Sequence, residues 1–234
     1  APITMGYSCA GTVVEVGRQV PDLKPGDRVA CGGASYATHA EFNVVPRNLL
    51  ARLPDGVSTE TACFATVGAI AMQGVRQADV RLGERVVVTG LGLLGLLTVQ
   101  MLKASGCEVL GVDPHEGRCA LASKLGADRV VHQGPVEVAQ AWSDGRGVDA
   151  VIVTAATESD QPIRDAAAML RRRGRVVIVG VVGMNVPRDD FYQKELELRL
   201  SMSYGPGRYD RRYEELGEDY PFGLVCWTEQ RNLQ

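Results

Sequence analysis

Missing from this 234-residue sequence is any apolar run approaching the ~20 residues that a membrane-spanning helix needs; the longest apolar stretches are strand-sized and are interrupted by Gly or charge. Missing too is an excess of positive charge. The formal net charge of −3 gives no electrostatic reason to expect a nucleic acid or an anionic membrane surface as partner. Histidine is scarce, with three in the chain, and the six cysteines (Cys9, Cys31, Cys63, Cys107, Cys119, Cys226) contain no C-x-x-C pair and no compact framework. Scattered cysteines in a chain this large point to reduced thiols and a cytoplasmic protein rather than a disulfide scaffold. Neither an internal repeat nor a low-complexity tract is present. No initiator Met, signal peptide or transit segment opens the sequence, and Gln234 follows no stopping signal, so the chain reads as a fragment of a longer protein.

What is present is an ordinary globular composition, 45% hydrophobic and 23% charged, enough for one large domain or two modest ones. Up to about residue 57, short β-type runs (Thr12 to Val16, Arg28 to Ala30, Phe42 to Val45) alternate with the turns Lys24-Pro25-Gly26-Asp27 and Pro54-Asp55-Gly56, which predicts small antiparallel β structure. Ser58-Thr59-Glu60-Thr61 then caps a helix that continues from Ala62 to Gly74. Beyond it the texture becomes strand and helix in alternation. Strands are predicted at Arg85–Thr89, Glu108–Val112, Arg129–His132, Ala150–Thr154, Arg175–Val179 and Leu196–Ser203, and helices at Leu93–Ala104, Gly117–Leu125 and Pro162–Arg173. Strands that are apolar throughout and alternate with helices predict an α/β, doubly wound parallel sheet covered on both faces.

Directly after the first of these strands stands Gly90-Leu91-Gly92-Leu93-Leu94-Gly95, opening a helix. In a strand–turn–helix context each glycine has its own physical role. The first permits the tight turn, the second lets backbone approach a diphosphate, and the third lets helix pack on strand, with the helix N-terminus facing the phosphates. Asp113 closes the next strand near the ~20-residue spacing expected of the acid that binds the adenosine ribose. These residues predict a dinucleotide cofactor. A carboxylate about 4 Å from a 2′-phosphate would be repelled by roughly 4 kcal/mol at an effective dielectric of about 20, whereas a free 2′-hydroxyl donates to it. NAD(H) is therefore expected over NADP(H). His115 and Arg118 stand just beyond and soften that preference, although Arg118 reads equally as a solvated helix residue.

The β-rich lead, the Lys24-Pro25-Gly26-Asp27-Arg28-Val29 turn, the glycine loop and the Leu125-Gly126-Ala127-Asp128 helix end together resemble a medium-chain dehydrogenase/reductase of the alcohol dehydrogenase-like superfamily. The resemblance covers nearly the whole chain. It implies a partial GroES-like catalytic domain over residues 1–60, a six-stranded Rossmann domain over 61–204, a return segment or linker over 205–234, and an active site in the cleft between the domains. It also implies pairing of subunits through the last strand of the nucleotide sheet, giving a homodimer. The segments Ser203 to Asp210 and Trp227 to Asn232 resemble a bacterial two-module subgroup in which a second, glucose/fructose oxidoreductase-like module follows, which makes a sugar derivative the expected small-molecule substrate.

By the same resemblance, zinc-dependent members carry Gly-His-Glu where this chain has Gly6-Tyr7-Ser8. Their third ligand, a Cys, falls near Ala65-Thr66, with Cys63 close by, and the four-cysteine lobe is replaced by Cys31-Gly32-Gly33-Ala34-Ser35-Tyr36. A zinc site wants three or four N or S ligands. His39 with Cys9 or Cys31 is too few, so no zinc is expected. Hydride transfer without a metal needs another polarising group, and a phenol or hydroxyl serves. Tyr7 is the expected proton donor with Ser8 as helper and His39 as a relay, or else Tyr7 is a packed aromatic, Ser8 a turn residue and His39 structural. Cys9 reads as a small buried residue. The resemblance further places Ala155-Ala156 near the adenosine and Val179-Gly180-Val181 near the nicotinamide amide, positions where strand ends in a tight sheet also favour small residues. Arg171-Arg172-Arg173 is read as a cationic helix end. The expected activity is an NAD(H)-linked oxidoreductase; the alternatives are a non-catalytic NAD(H)-binding module and a zinc alcohol dehydrogenase with relocated ligands.

Overall fold

A computed structural model of the chain describes residues 5–234; the first four residues of the expected 1–60 domain lie outside them. The chain forms two compact units, one running to Ile70 and resuming at Met202, the other from Ala71 to Ser201.

The first unit opens with strands β1 (Ser8–Thr12), β2 (Arg28–Gly32) and β3 (Leu50–Arg52), which form one antiparallel sheet in that order. Two of the predicted strands move. The first ends at Thr12, where the predicted run began: beyond it the pairing with the opposite strand becomes irregular, Val13 N–H still donating to the Asp27 carbonyl while the Val13 carbonyl accepts from Gly26 N and Asp27 N turns to Lys24 O. Phe42 to Val45 is no strand. The Asn43 side chain turns back on Thr38, accepting from its N–H (3.1 Å) and its hydroxyl (2.7 Å) and donating to its carbonyl, so side-chain bonds replace a ladder and Phe42 and Val44 stay exposed. The third strand comes instead from Leu50–Arg52. The predicted helix over 62–74 is divided into α1 (Thr59–Ala62), capped by the Ser58 side chain on Thr61 N, and α2 (Ala65–Ala78).

In the second unit follow β4 (Arg85–Thr89), α3 (Leu93–Ala104), β5 (Glu108–Val112), α4 (Glu116–Lys124), β6 (Arg129–Val131), α5 (Pro135–Trp142), β7 (Val148–Val153), α6 (Gln161–Met169), β8 (Leu170–Ile178), α7 (Arg188–Lys194) and β9 (Glu197–Leu200). The six strands are parallel in the order β6-β5-β4-β7-β8-β9, the doubly wound arrangement whose strand order reverses between β4 and β7. Its four inner strands, β5, β4, β7 and β8, are buried on both faces. Val86, Val88, Ile152 and Val177 pack with Val99 and Leu102 of α3, while Val87, Leu110, Val151 and Val176 pack with Ile163 and Met169 of α6. Each fully buried side chain of this size contributes roughly 1.5–3 kcal/mol.

Helices α5 and α7 are additions to the predicted elements, and α6 is shorter than predicted. Leu170 is already extended (φ −73°, ψ 144°), so Arg171-Arg172-Arg173 lies in β8 rather than at a helix end, and Arg171 Nε pairs with Asp149 at 2.7 Å. After β9 the chain rejoins the first unit with α8 (Arg211–Glu214) and α9 (Glu229–Leu233). Leu233 and Tyr204 there share a core with Leu49, Ala51 and Ala69. Among the described residues, no helix is long and apolar enough to cross a membrane.

Candidate functional site

At the point where the strand order reverses, the glycine loop is held by the sheet around it. Gly90 has φ +94°, its N–H donates to the Val112 carbonyl (2.7 Å), and its carbonyl accepts from Thr154 Oγ1 (2.5 Å). A Cβ on Gly90 would meet Ala155 N at 2.6 Å, and one on Gly95 would run into the Gly90 carbonyl oxygen. Both glycines are thus required by the fold. Gly92 differs: a Cβ there meets nothing within 4 Å. It stands at the start of the twelve-residue α3, where no side chain caps the first N–H groups and the first turn carries no acid. That is a cradle for an anion.

Asp113, 3% exposed, extends from the end of β5 beside this loop. Its Oδ2 accepts from Leu91 N at 2.8 Å and its Oδ1 from His115 N at 2.9 Å. Arg118 Nη1 lies 3.4 Å from Oδ2 on a half-exposed side chain. Asp113 therefore clasps the loop as well as standing where the ribose was expected, a tie between residues far apart in sequence that no spacing rule signals. A carboxylate offers about four acceptor directions, so capacity remains. His115 caps α4, its Nδ1 accepting from Gly117 N (3.1 Å). Ala155 covers Gly90, a Cβ on Gly180 would strike the Ala155 carbonyl, and Ala156 bridges to Val181 in parallel register. Val181 is exposed beside a depression of about 520 Å³ lined by Ala156 to Glu158 and Val181 to Gly183. Val179 instead turns inward against Gly74 of α2. The loop, Asp113, Arg118, Ala155, Gly180 and Val181 thus gather at the C-terminal ends of the strands, where open α/β sheets bind ligands.

In the first unit, Gly6 (φ +96°) carries the chain into β1, and the His39 ring lies so close that a Cβ on Gly6 would meet its Cδ2 at 2.5 Å. His39 N donates to Met5 O (2.9 Å), and Tyr7 O accepts from Gly33 N (3.0 Å). His39 and Tyr7 are thereby neighbours, and both side chains are exposed. Ser8 Oγ donates to the Cys63 carbonyl at 2.6 Å, which ties β1 to the end of α1. Cys9 departs from the expectation of an inert buried residue. It is only half-buried and stands opposite Cys31 across the β1–β2 ladder. The Cys31 thiol hydrogen-bonds to it and brings Cys9 down to about 7, while Cys31 itself is pushed up, by that bond first and by burial second. The perturbing group sits across the sheet, not nearby in sequence.

The Ser8 hydroxyl donates to Cys63 O, and Cys63 Sγ donates to Glu60 O. Among the described residues no three His, Cys, Asp or Glu side chains are grouped to hold a metal.

The zinc-binding dehydrogenase family model matches residues 94–218 and the alcohol dehydrogenase GroES-like domain matches residues 1–66. The chain is 31% identical over 212 residues to the uncharacterized zinc-type alcohol dehydrogenase-like protein YdjJ of Escherichia coli (strain K12), covering 77% of this chain and 60% of that protein. It is 34% identical over 154 residues to the D-guloside 3-dehydrogenase of Shigella flexneri, covering 64% of this chain and 44% of that protein. The chain therefore spans about half the length of these relatives. Among solved structures, the 2R,3R-butanediol dehydrogenase of Bacillus subtilis matches with a TM-score of 0.73 and 28% identity over 87% of this chain and 66% of that one.

Proposed function

The chain belongs to the zinc-binding dehydrogenase family of medium-chain, alcohol dehydrogenase-like proteins, and from that premise we propose that it is an NAD(H)-linked oxidoreductase interconverting an alcohol and a carbonyl on a sugar-derived substrate, without catalytic zinc. The observation that carries this reading is the open space over Gly92 at the uncapped start of α3, set between two glycines that the fold itself requires. Bound there, a nicotinamide dinucleotide supplies or accepts the hydride. The chain's part is to hold and to protonate. The first N–H groups of α3 receive the diphosphate, and Asp113, already fixed by Leu91 and His115, receives the ribose hydroxyls. Its negative charge disfavours a 2′-phosphate, and the Arg118 guanidinium that would welcome one is drawn toward Asp113.

Tyr7 passes the proton between its phenol and the substrate oxygen. Ser8 holds Tyr7's segment by its bond to Cys63 O, and His39 relays the proton outward. The sugar-derived substrate finds support in the name of the D-guloside relative. A second copy pairing along β9, an edge of the sheet, a fused second oxidoreductase module and a cytoplasmic setting belong to the same proposal.

Titration of the full-length protein with NADH and NADPH, followed by bound-nucleotide fluorescence, tests the cofactor. NADH is expected to bind at least tenfold more tightly, and equal affinities overturn the preference. Turnover over a panel of sugar alcohols and ketoses is expected to disappear in Tyr7→Phe with NADH binding unchanged. Binding without turnover on any substrate supports a non-catalytic module, and stoichiometric zinc lost together with activity on chelation supports relocated metal ligands.

A further inference from the structure

Cys9 and Cys31 are register partners in the β1–β2 ladder. The ladder's phase is set by the bonds that flank it: Gly33 N donates to Tyr7 O, and Val13 N donates to Asp27 O. Both are hydrogen-bonded pairs, and alternation in an antiparallel ladder makes Cys9–Cys31 one as well, with Cα atoms about 5.5 Å apart. Residues directly opposite point to the same face, and that spacing falls inside the ~4.4–6.8 Å window for a disulfide. The two thiols also differ in access. Cys31 is 5% exposed while Cys9 is half-buried, so a reagent from solvent reaches Cys9 first, with Cys31 directly behind it.

We propose that Cys9 and Cys31 form a reversible dithiol modification site, oxidised by the disulfide of a small thiol to a cross-strand Cys9–Cys31 disulfide. The Cys9 thiolate attacks the small-molecule disulfide, its S–S bond breaks, and one small thiolate departs, leaving a mixed disulfide on Cys9. Cys31, giving its proton to solvent, attacks the Cys9 sulfur, expels the second small thiolate and closes the ring. The two protein thiols are oxidised by two electrons and one small disulfide is reduced to two thiols. The lowered Cys9 thiol supports the first step, since the thiolate is the nucleophile. Closing the bond draws Cβ atoms from roughly 4.5–5.5 Å to about 3.8 Å. That cost makes the disulfide readily reducible, the mark of a labile rather than a structural bond.

Three of the four remaining thiols serve as internal standards. Cys107 and Cys119 are buried and pushed up by burial, Cys119 donating to Asp113 O, and Cys63 donates to Glu60 O. The full-length protein is incubated with oxidised glutathione, quenched with a thiol alkylator, digested and read by mass spectrometry. A linked peptide pair containing Cys9 and Cys31, abolished by dithiothreitol, is the expected result. In Cys31→Ser the adduct should stop at glutathione on Cys9, and Cys31→Ala should repeat this result if the serine variant folds poorly. In the reduced protein near pH 7, Cys9, whose thiol is lowered, should alkylate at least about tenfold faster than Cys107 or Cys119, which burial pushes up. Recovery of Cys9 and Cys31 as unlinked residues, or linkage of Cys9 to another cysteine with equal yield, overturns the proposal. The readout is a peptide bond map rather than turnover, so its failure leaves the nucleotide-site reading untouched.

Discussion

The two units of this chain close their interiors by different means. The unit from Ala71 to Ser201 is fastened by apolar side chains stacked on both faces of a parallel sheet, with Val86, Val87, Val88 and Ile152 fully buried. Among the described residues the other shows three short strands and two small apolar clusters, and polar groups join its distant segments. Asn48 Nδ2 donates to Tyr213 O (2.9 Å), Gln230 Nε2 to the carbonyls of Arg47 and Leu50, and Asn232 Nδ2 to Tyr204 O (2.8 Å). Thr66 Oγ1 adds a bond to Cys31 O. One unit is specified by periodicity within each segment, the other by single pairings between segments. Backbone close approach should therefore be the fragile feature of the first, and polar and titratable contacts that of the second.

The glycine loop gives this comparison its hardest test. Gly95→Ala places a methyl against the Gly90 carbonyl, and because that neighbour is backbone held by Thr154, little can yield. A loss of roughly 3 kcal/mol or more is expected, the upper end of overpacking costs, together with loss of nucleotide binding. Gly92→Ala has open space around its Cβ, so stability should stay within about 0.5 kcal/mol while nucleotide affinity falls at least tenfold. Denaturant unfolding and NADH titration of both variants read the two effects separately. Undiminished NADH affinity in Gly92→Ala would remove the loop from the diphosphate site.

The same contrast explains what could be read from the residues alone. β4, α3 and β5 fall where the apolar runs and their flanking Gly, Asp and Lys put them, because every signal involved is local. Within that unit α7 carries no such signal: Arg188–Lys194 is short and shows no apolar stripe, and its place is set by tertiary contact, Phe191 packing on the core and Lys194 Nζ donating to the carbonyls of Ala167, Ala168 and Leu170. In the β-rich unit Phe42 to Val45 has β-type composition, yet one Asn side chain outcompetes a ladder. The candidate site divides in the same way. The glycine loop and Asp113 stand in the chain as a pattern, whereas the Asp113 bond to Leu91 N, the Ser8 bond to Cys63 O and the apposition of Cys9 with Cys31 join partners chosen only by the fold.

Glu229 probes the polar unit by pH. It is fully buried, and its carboxyl is pushed up to about 8, by burial first and by the negative charge of Glu214 second, against the pull of Arg208. The folded protein therefore keeps a proton that the unfolded chain, with an ordinary glutamate near 4.3, gives up. Folding takes up a proton between those values, so stability is fully present below pH ~4 and falls as pH rises toward 8. Over about pH 5.5 to 7.5 the loss attributable to this group is on the order of 2–3 kcal/mol. Unfolding midpoints across that range should decline in the natural chain and flatten in Glu229→Gln. An unchanged slope in the variant would show that Glu229 is ionised in the folded state.

The smallest expected effect separates fastening from chemistry within the polar unit. Ser8 Oγ reaches the Cys63 carbonyl across 55 positions of chain, joining β1 to α1 beside Tyr7. Ser8→Ala removes the donor but leaves a carbonyl that retains a second lone pair and is only partly buried, so the cost should be about 1 kcal/mol, the net worth of one such bond. NADH affinity should not change, since Gly92 and Asp113 belong to the other unit. Turnover should fall while KM holds, because the loosened segment is the one that carries the Tyr7 phenol. Ser8→Thr, which keeps the hydroxyl, should restore both stability and turnover. A Ser8→Ala protein less stable by that amount yet turning over at the natural rate would assign Ser8 to fastening alone and free Tyr7 from dependence on it.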